Sequence, residues 1–255
     1  MDEQLTAKLK EWAGTYNVKS FIPDDPVRFP HRFTEKRDIE ISAFITSWIS
    51  YGRRELILRK ADWLHSRMGG SPYEWVLSGR YWELVSDVPA GKRDTFYRFY
   101  THSDLCALCD WLKEIYERYD SLEDALAASP YPNPVLKLQD LFSGINGIPV
   151  MGGTSACKRL AMFLRWMIRT DGIVDFGIWQ TAFHPRQLII PLDTHVHQIS
   201  LELGLTQQML AEKMNCTQQY ISKVLKGKKN MSLETICKIE NALGIEIIRS
   251  LNDNK

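Results

Sequence analysis

Apolar residues along this chain recur at three- and four-residue spacing in one segment after another, and no stretch shows the strict alternation of a strand. Residues 4–13 read as a short amphipathic helix, followed by a Pro-rich loop, SFIPDDPVRFP. From Asp38 the run DIEISAFITSWISYGRRELILRKADWLHSR predicts two helices hinged near Tyr51 and Gly52. Ser71-Pro72-Tyr73-Glu74 has the form of a capping box with Pro at the first helical position, so a new helix is expected there. Further helices are expected over about 104–118, 121–128 and 134–143. A glycine-rich turn, SGINGIPVMGG, then precedes a last helical pattern, SACKRLAMFLRWMIR. No internal repeat is present, and the expected fold class is all-α.

The same periodicity continues past residue 205, over LTQQMLAEKMNCTQQYISKVLKGKKNMSLETICKIENALGIEII. Thr206 can cap a helix reaching Met214, with Leu210, Ala211 and Met214 inward. Asn215 stands at a turn, where it tolerates a left-handed backbone better than most residues. Thr217 caps a second helix with Ile221, Val224 and Leu225 inward, and Ser232 opens a third that Gly244 ends. This arrangement resembles the Cro/CI-type (XRE-like) helix-turn-helix of phage repressors. The resemblance implies a DNA-binding domain over 195–255, behind a helical domain over 1–194. In that geometry the second helix enters the major groove with its N-terminal side chains on base edges. Gln218 and Gln219 stand there and suit adenine; Tyr220, Ser222 and Lys223 are further contact candidates. Gln207, Lys226, Lys228, Lys229 and Asn230 suit phosphate oxygens. Double-stranded DNA is thus the expected partner, and repressor-like domains commonly bind two-fold sites as dimers, so a homodimer is expected too.

Composition agrees with a folded chain and narrows the partner class. With 44% apolar and 25% charged residues among 255, the sequence is that of a globular protein. No apolar run nears the roughly 20 residues that cross a bilayer, so no membrane partner is expected. The charged N-terminus lacks a signal-peptide core, and the five cysteines are odd in number, which together point to a reducing, cytoplasmic setting. Residues 206–255 carry eight Lys/Arg against five Asp/Glu, leaving 24 basic and 26 acidic residues in 1–205. The basic surplus therefore lies in the segment expected to meet a polyanion.

A second signal is PLDTHVHQISLELGL, residues 191–205. It resembles the PxDTHV-type segment of helix-hairpin-helix DNA glycosylases, in which an Asp caps a helix beside the flipped base. More closely, residues from about 30 to 205 resemble an uncharacterised bacterial family distantly related to those enzymes. The resemblance implies Asp193 as the stabilising carboxylate and Lys158, after the glycine turn, as an amine nucleophile. Trp48, Tyr51, Phe163 and Trp166 would offer stacking surface, and the amides of Gly147, Gly152 and Gly153 would meet phosphate. The chain runs from Gly204 straight into LTQQ, so a fused or shortened enzyme half is expected. No cofactor or metal is expected: Cys106 and Cys109 form a single CxxC without a second ligand pair, and His195 would point away from Asp193 and His197 on a helix. Two functions follow from these patterns. One is a sequence-specific DNA-binding protein, such as a transcriptional regulator; the other is a base-excision glycosylase/lyase carrying an added DNA-binding module.

Overall fold

Helix α1 (Lys36–Ile49) is the element round which the others are laid, and every residue from Asp38 to Ile49 in it is buried. A helix enclosed on all sides must satisfy each polar group it carries into the interior. Asp38 accepts hydrogen bonds from Ser71 Oγ and Tyr73 N, both at 2.8 Å. Glu40 accepts from Tyr116 Oη at 2.8 Å, Leu122 N at 3.0 Å and Trp179 Nε1 at 2.6 Å. Burial nevertheless outweighs these donors and holds the Glu40 carboxyl above its ordinary pKa. Ser42 donates to Nε2 of the buried His65 (2.7 Å), whose Nδ1–H goes to the carbonyl of Ala61 (2.8 Å). That pairing suits a neutral imidazole, and desolvation pulls the His65 pKa down to about 4.

In a computed structural model, the structure of the chain is described for residues 11, 14–86, 94–153 and 155–189. Within them α1 is followed by α2 (Arg54–Met68), α3 (Pro72–Leu77), α4 (Glu83–Ser86), α5 (His102–Arg118), α6 (Leu122–Ala128), α7 (Pro134–Leu141) and α8 (Lys158–Ile168). The fold is all-α: among the described residues there is no strand, only an isolated bridge between Tyr97 and Tyr100. None of the described helices is long and apolar enough to cross a membrane.

Local chemistry explains where these helices begin. Ser71 caps α3 by accepting from Glu74 N at 3.1 Å, with Pro72 at the first position. Thr101 and Asp104 form a reciprocal capping box at the start of α5. Ser121 and Asn133 cap α6 and α7 by accepting from Asp124 N at 3.1 Å and Leu136 N at 2.9 Å. The Pro-rich stretch expected as a loop instead winds through three short 3-10 turns, Lys19–Asp24, Pro26–Arg28 and Pro30–Arg32. It also delivers Val27 and Phe29, both fully enclosed, to the core. Cys106 and Cys109 lie on the buried face of α5, where desolvation raises both thiol pKa values.

The hydrophobic core joins α1 to α8, its main packing partner among the helices. Phe44 stacks on Phe142 at 4.1 Å and meets Phe163 edge-to-face at 5.1 Å. Beyond α8 the chain turns on Asp171, which accepts from the amides of Ile173, Val174 and Asp175. It then returns along the helix end. Phe176 and Gly177 donate to Trp166 O, and Trp179 N donates to Met167 O, so carbonyls left over at the C-terminus of α8 find partners. Trp179 packs edge-to-face on Phe163 while its indole N–H holds Glu40. Residues 170–189 thus close the core with one short 3-10 turn, Pro185–Gln187, as their regular structure.

Candidate functional site

The C-terminus of α1 and the N-terminus of α8 meet at one open cavity of about 390 Å³. One wall is the last turn of α1 with its exit, including Trp48, Tyr51 and Gly52; the other comprises residues 147–149 and 155–160. Helix α1 stops at Ser50, whose N–H closes back on Ser47 O, and Gly52 then takes a φ of +95°. A Cβ at Gly52 would sit 2.7 Å from an Arg98 guanidinium nitrogen, so that flexible side chain would have to move aside.

The opposing wall is a helix, a glycine turn and a helix. After α7 the chain passes Gly144 and Gly147, both at positive φ, and Gln139 Nε2 anchors the following stretch by donating to Pro149 O at 2.7 Å. Cys157, buried, adopts a left-handed backbone (φ +52°) directly before α8. A non-glycine residue in that region is uncommon, and strain of this kind gathers at functional sites. Lys158 follows as the first residue of α8; it is exposed and lines the cavity.

Arg159 ties the two walls together. Its guanidinium donates to Tyr100 Oη at 2.5 Å, to Gly147 O at 2.7 Å and to Trp48 O. The charge thereby caps the carbonyl end of α1, where a cation is favoured by the helix dipole. The same group lies 5.2 Å from the centre of the Tyr51 ring. Tyr100 stacks on Trp48 at 3.9 Å, and Trp48 Nε1 donates to Asn146 O at 2.7 Å. Tyr100 and Gly147 touch so closely that only glycine fits at 147. Among the described residues, the cavity lining contains two cations, Lys158 and Arg159, and no carboxylate. The positive end of α8 opens on the same space. Such a lining suits an anionic ligand carrying a flat, π-rich group.

The structure thus brings Lys158, Trp48, Tyr51 and Gly147 to one place, as their sequence contexts suggested. Three stacking candidates are corrected. Trp48 borders the cavity but is 2% exposed with its ring stacked on Tyr100, so it offers no open face. Phe163 and Trp166 are 0% and 2% exposed, on the core side of α8, so neither presents a face to the cavity. The reason is position along the helix: both share the face of Arg159, at i+4 and i+7, but lie one and two turns further from the cavity, where that face packs into the core. Gly152 and Gly153 are exposed in the turn but do not line the cavity. Arg159 and Tyr100 were not foreseen. Arg159 had a signal in its place beside Lys158; Tyr100, 59 residues away in sequence, had none. Asp193, Gln207, Thr217, Gln218, Gln219, Tyr220, Ser222, Lys223, Lys226, Lys228, Lys229 and Asn230 lie outside the described residues, as does the expected boundary at 194/195.

A family model described as "Protein of unknown function (DUF2400)" matches residues 25–229. The chain belongs to the DUF2400 family. The DUF2400 span takes in the whole cavity and Asp193, and it also covers residues 206–229 of the segment that resembles a repressor helix-turn-helix. No curated protein and no solved structure matches the chain.

Proposed function

We propose that this DUF2400 member binds DNA and acts on a nucleotide turned out into the cavity, with Lys158 as the attacking amine. The observation that carries the reading is the position of Lys158 on the wall of a cavity of about 390 Å³, beside Trp48, Tyr51 and Arg159. That volume falls within the roughly 300–1,000 Å³ usual for small-molecule sites. An extruded base would lie against Tyr51, the half-buried aromatic ring of the lining, and its phosphates would face a rim that is cationic. The TQQ and KGKKN segments within residues 206–230 support double-stranded DNA as the macromolecule, delivered to the cavity by sequence-directed binding.

In the reaction the Lys158 Nζ lone pair bonds to the sugar C1′ while the C1′–N glycosidic bond breaks. The base departs with the bonding electrons and takes up the proton that the amine releases. Opening of the C1′–O4′ bond then leaves a Schiff base between enzyme and sugar. Asp193 is assigned to the oxocarbenium charge that develops at C1′.

Borohydride reduction tests this directly, because it converts a Schiff base to a stable amine. The full chain is incubated with duplexes carrying an oxidised or deaminated base and then reduced. A covalent adduct that disappears in Lys158→Ala is the expected result. Duplex binding with no adduct on any lesion would overturn the lyase step and leave a non-enzymatic DNA-binding protein. In that case Lys228→Ala/Lys229→Ala should weaken binding on all sequences and flatten its salt dependence. Failure to bind DNA at all would overturn the whole reading.

A further inference from the structure

Next to the cavity a tight turn displays an aromatic ring to solvent. Tyr97 and Tyr100 close the turn through paired backbone hydrogen bonds of 3.0 and 2.9 Å, and both side chains are buried. At its tip Phe99 is 80% exposed and Arg98 has a φ of +55°. The turn is clamped to the cavity wall. Tyr51 Oη donates to Tyr97 O at 3.1 Å, Tyr97 Oη donates to Tyr51 O at 3.0 Å, and Phe99 N donates to Tyr51 Oη at 3.1 Å. The Phe99 ring lies within 7° of parallel to Tyr51, with centroids 6.1 Å apart. The Arg98 guanidinium sits 5.4 Å from the Tyr51 ring centre and 5.8 Å from that of Phe99.

An arginine held in left-handed backbone works against stability here, and beside it a phenyl ring is left in water. The Phe99 N–H is held by Tyr51 Oη and the Tyr97–Tyr100 pair closes the turn that carries both residues, so the turn is built to present them. An open aromatic face with a guanidinium alongside, joined to a cavity lined by Lys158 and Arg159, matches an unpaired nucleobase and its phosphate. We propose that Phe99 stacks on a base at an opened position of the duplex, with Arg98 beside it, and so makes the protein select DNA already unpaired next to the cavity. The inference rests on the DNA reading above and adds the form of DNA that is bound.

The test compares the full chain with Phe99→Ala and Phe99→Trp by fluorescence anisotropy. The probes are a duplex with a single tetrahydrofuran abasic site and the same duplex fully paired. The parent should prefer the abasic duplex. Phe99→Ala should lose roughly 5- to 150-fold in affinity for it, the worth of one base–aromatic stack, with paired-duplex binding within about twofold. Phe99→Trp should retain the preference. Because the ring is exposed, unchanged thermal unfolding of Phe99→Ala is expected and separates a binding effect from misfolding. A 2-aminopurine opposite the abasic site reports the stack independently, since its quenching on binding should be lost in Phe99→Ala.

Parent-like discrimination by Phe99→Ala would overturn this proposal, while an intact Lys158 adduct in the same variant would leave the proposed function standing. Equal loss on both duplexes would overturn the selectivity, making Phe99 a general contact. Parent protein that binds neither probe would overturn the DNA reading and this inference together. If Phe99→Ala instead changed only self-association, the ring would serve a protein contact and the stacking role would be refuted.

Discussion

Substituting Gly147 with alanine asks two separate things of the backbone, and Gly144 provides the control that divides them. Both residues lie in the turn between α7 and α8 at nearly the same φ, +86° for Gly144 and +87° for Gly147. At Gly144 a Cβ would meet nothing within 4 Å, so Gly144→Ala carries only the cost of a left-handed alanine, about 1–2 kcal/mol. At Gly147 the Cβ would stand 2.6 Å from Tyr100 Cζ and 2.7 Å from Cε1, and nearer still to the hydroxyl, so the Tyr100 ring must move. That displacement disturbs the stack on Trp48, worth about 0.5–1.5 kcal/mol. It also disturbs the charged hydrogen bond from Arg159, worth about 1.5–3 kcal/mol. Gly147→Ala should therefore cost at least about 2 kcal/mol more than Gly144→Ala. At roughly 2–4 °C per kcal/mol for a chain of this size, its melting temperature should fall at least about 4 °C further. Differential scanning calorimetry of the two variants and the parent reads this difference. Variants that melt together would refute the close Gly147–Tyr100 contact and the Arg159 clamp built on it.

Removing the Glu40 carboxyl should be among the most damaging single changes in the described core. Glu40→Ala leaves the donors of Tyr116, Leu122 and Trp179 without their acceptor, at about 1–3 kcal/mol each, and chemical denaturation should register a loss on the order of 3–9 kcal/mol. Glu40→Gln keeps one carbonyl oxygen and should lose less; the opposite order would count against the buried acceptor role. His65 predicts a pH dependence. Its folded pKa lies near 4, below the unfolded value of about 6.5, so between these values the unfolded chain binds the extra proton and stability falls as pH falls. The parent should lose roughly 3 kcal/mol relative to His65→Gln between pH 7 and pH 4, with the titrating carboxyls cancelling in the comparison. Parallel stability curves for the two proteins across that range would show that His65 is not buried as a neutral ring.

Helix identity and most helix starts were legible in the sequence because they rest on contacts within a few residues. Apolar spacing, the Ser71-Pro72 start and the hinge at Tyr51-Gly52 are local patterns, and α1, α2, α3 and α8 follow them closely. Lys158 was singled out only through the resemblance to the glycosylases, by its place after the glycine turn. Tertiary structure decided what periodicity cannot specify. An apolar stripe says that Phe163 and Trp166 face inward or into a pocket but not which, and packing against α1 and the 170–189 return sends them to the core. The Pro-rich stretch carries no helical period, yet it buries Phe29 because His65 offers a stacking face 4.8 Å away. Most of the cavity's character comes from residues distant in sequence. Arg159 reaches Trp48, 111 positions away, and Tyr100, 59 away. Phe99 lies 48 residues from the tyrosine that holds it. Sequence alone determined the helices and their faces, since hydrogen bonding and side-chain phase are short-range. The joining of α1 and α8 around one cationic cavity, with the 97–100 turn clamped beside it, was decided only by folding, which places side chains by shape and charge across the whole chain.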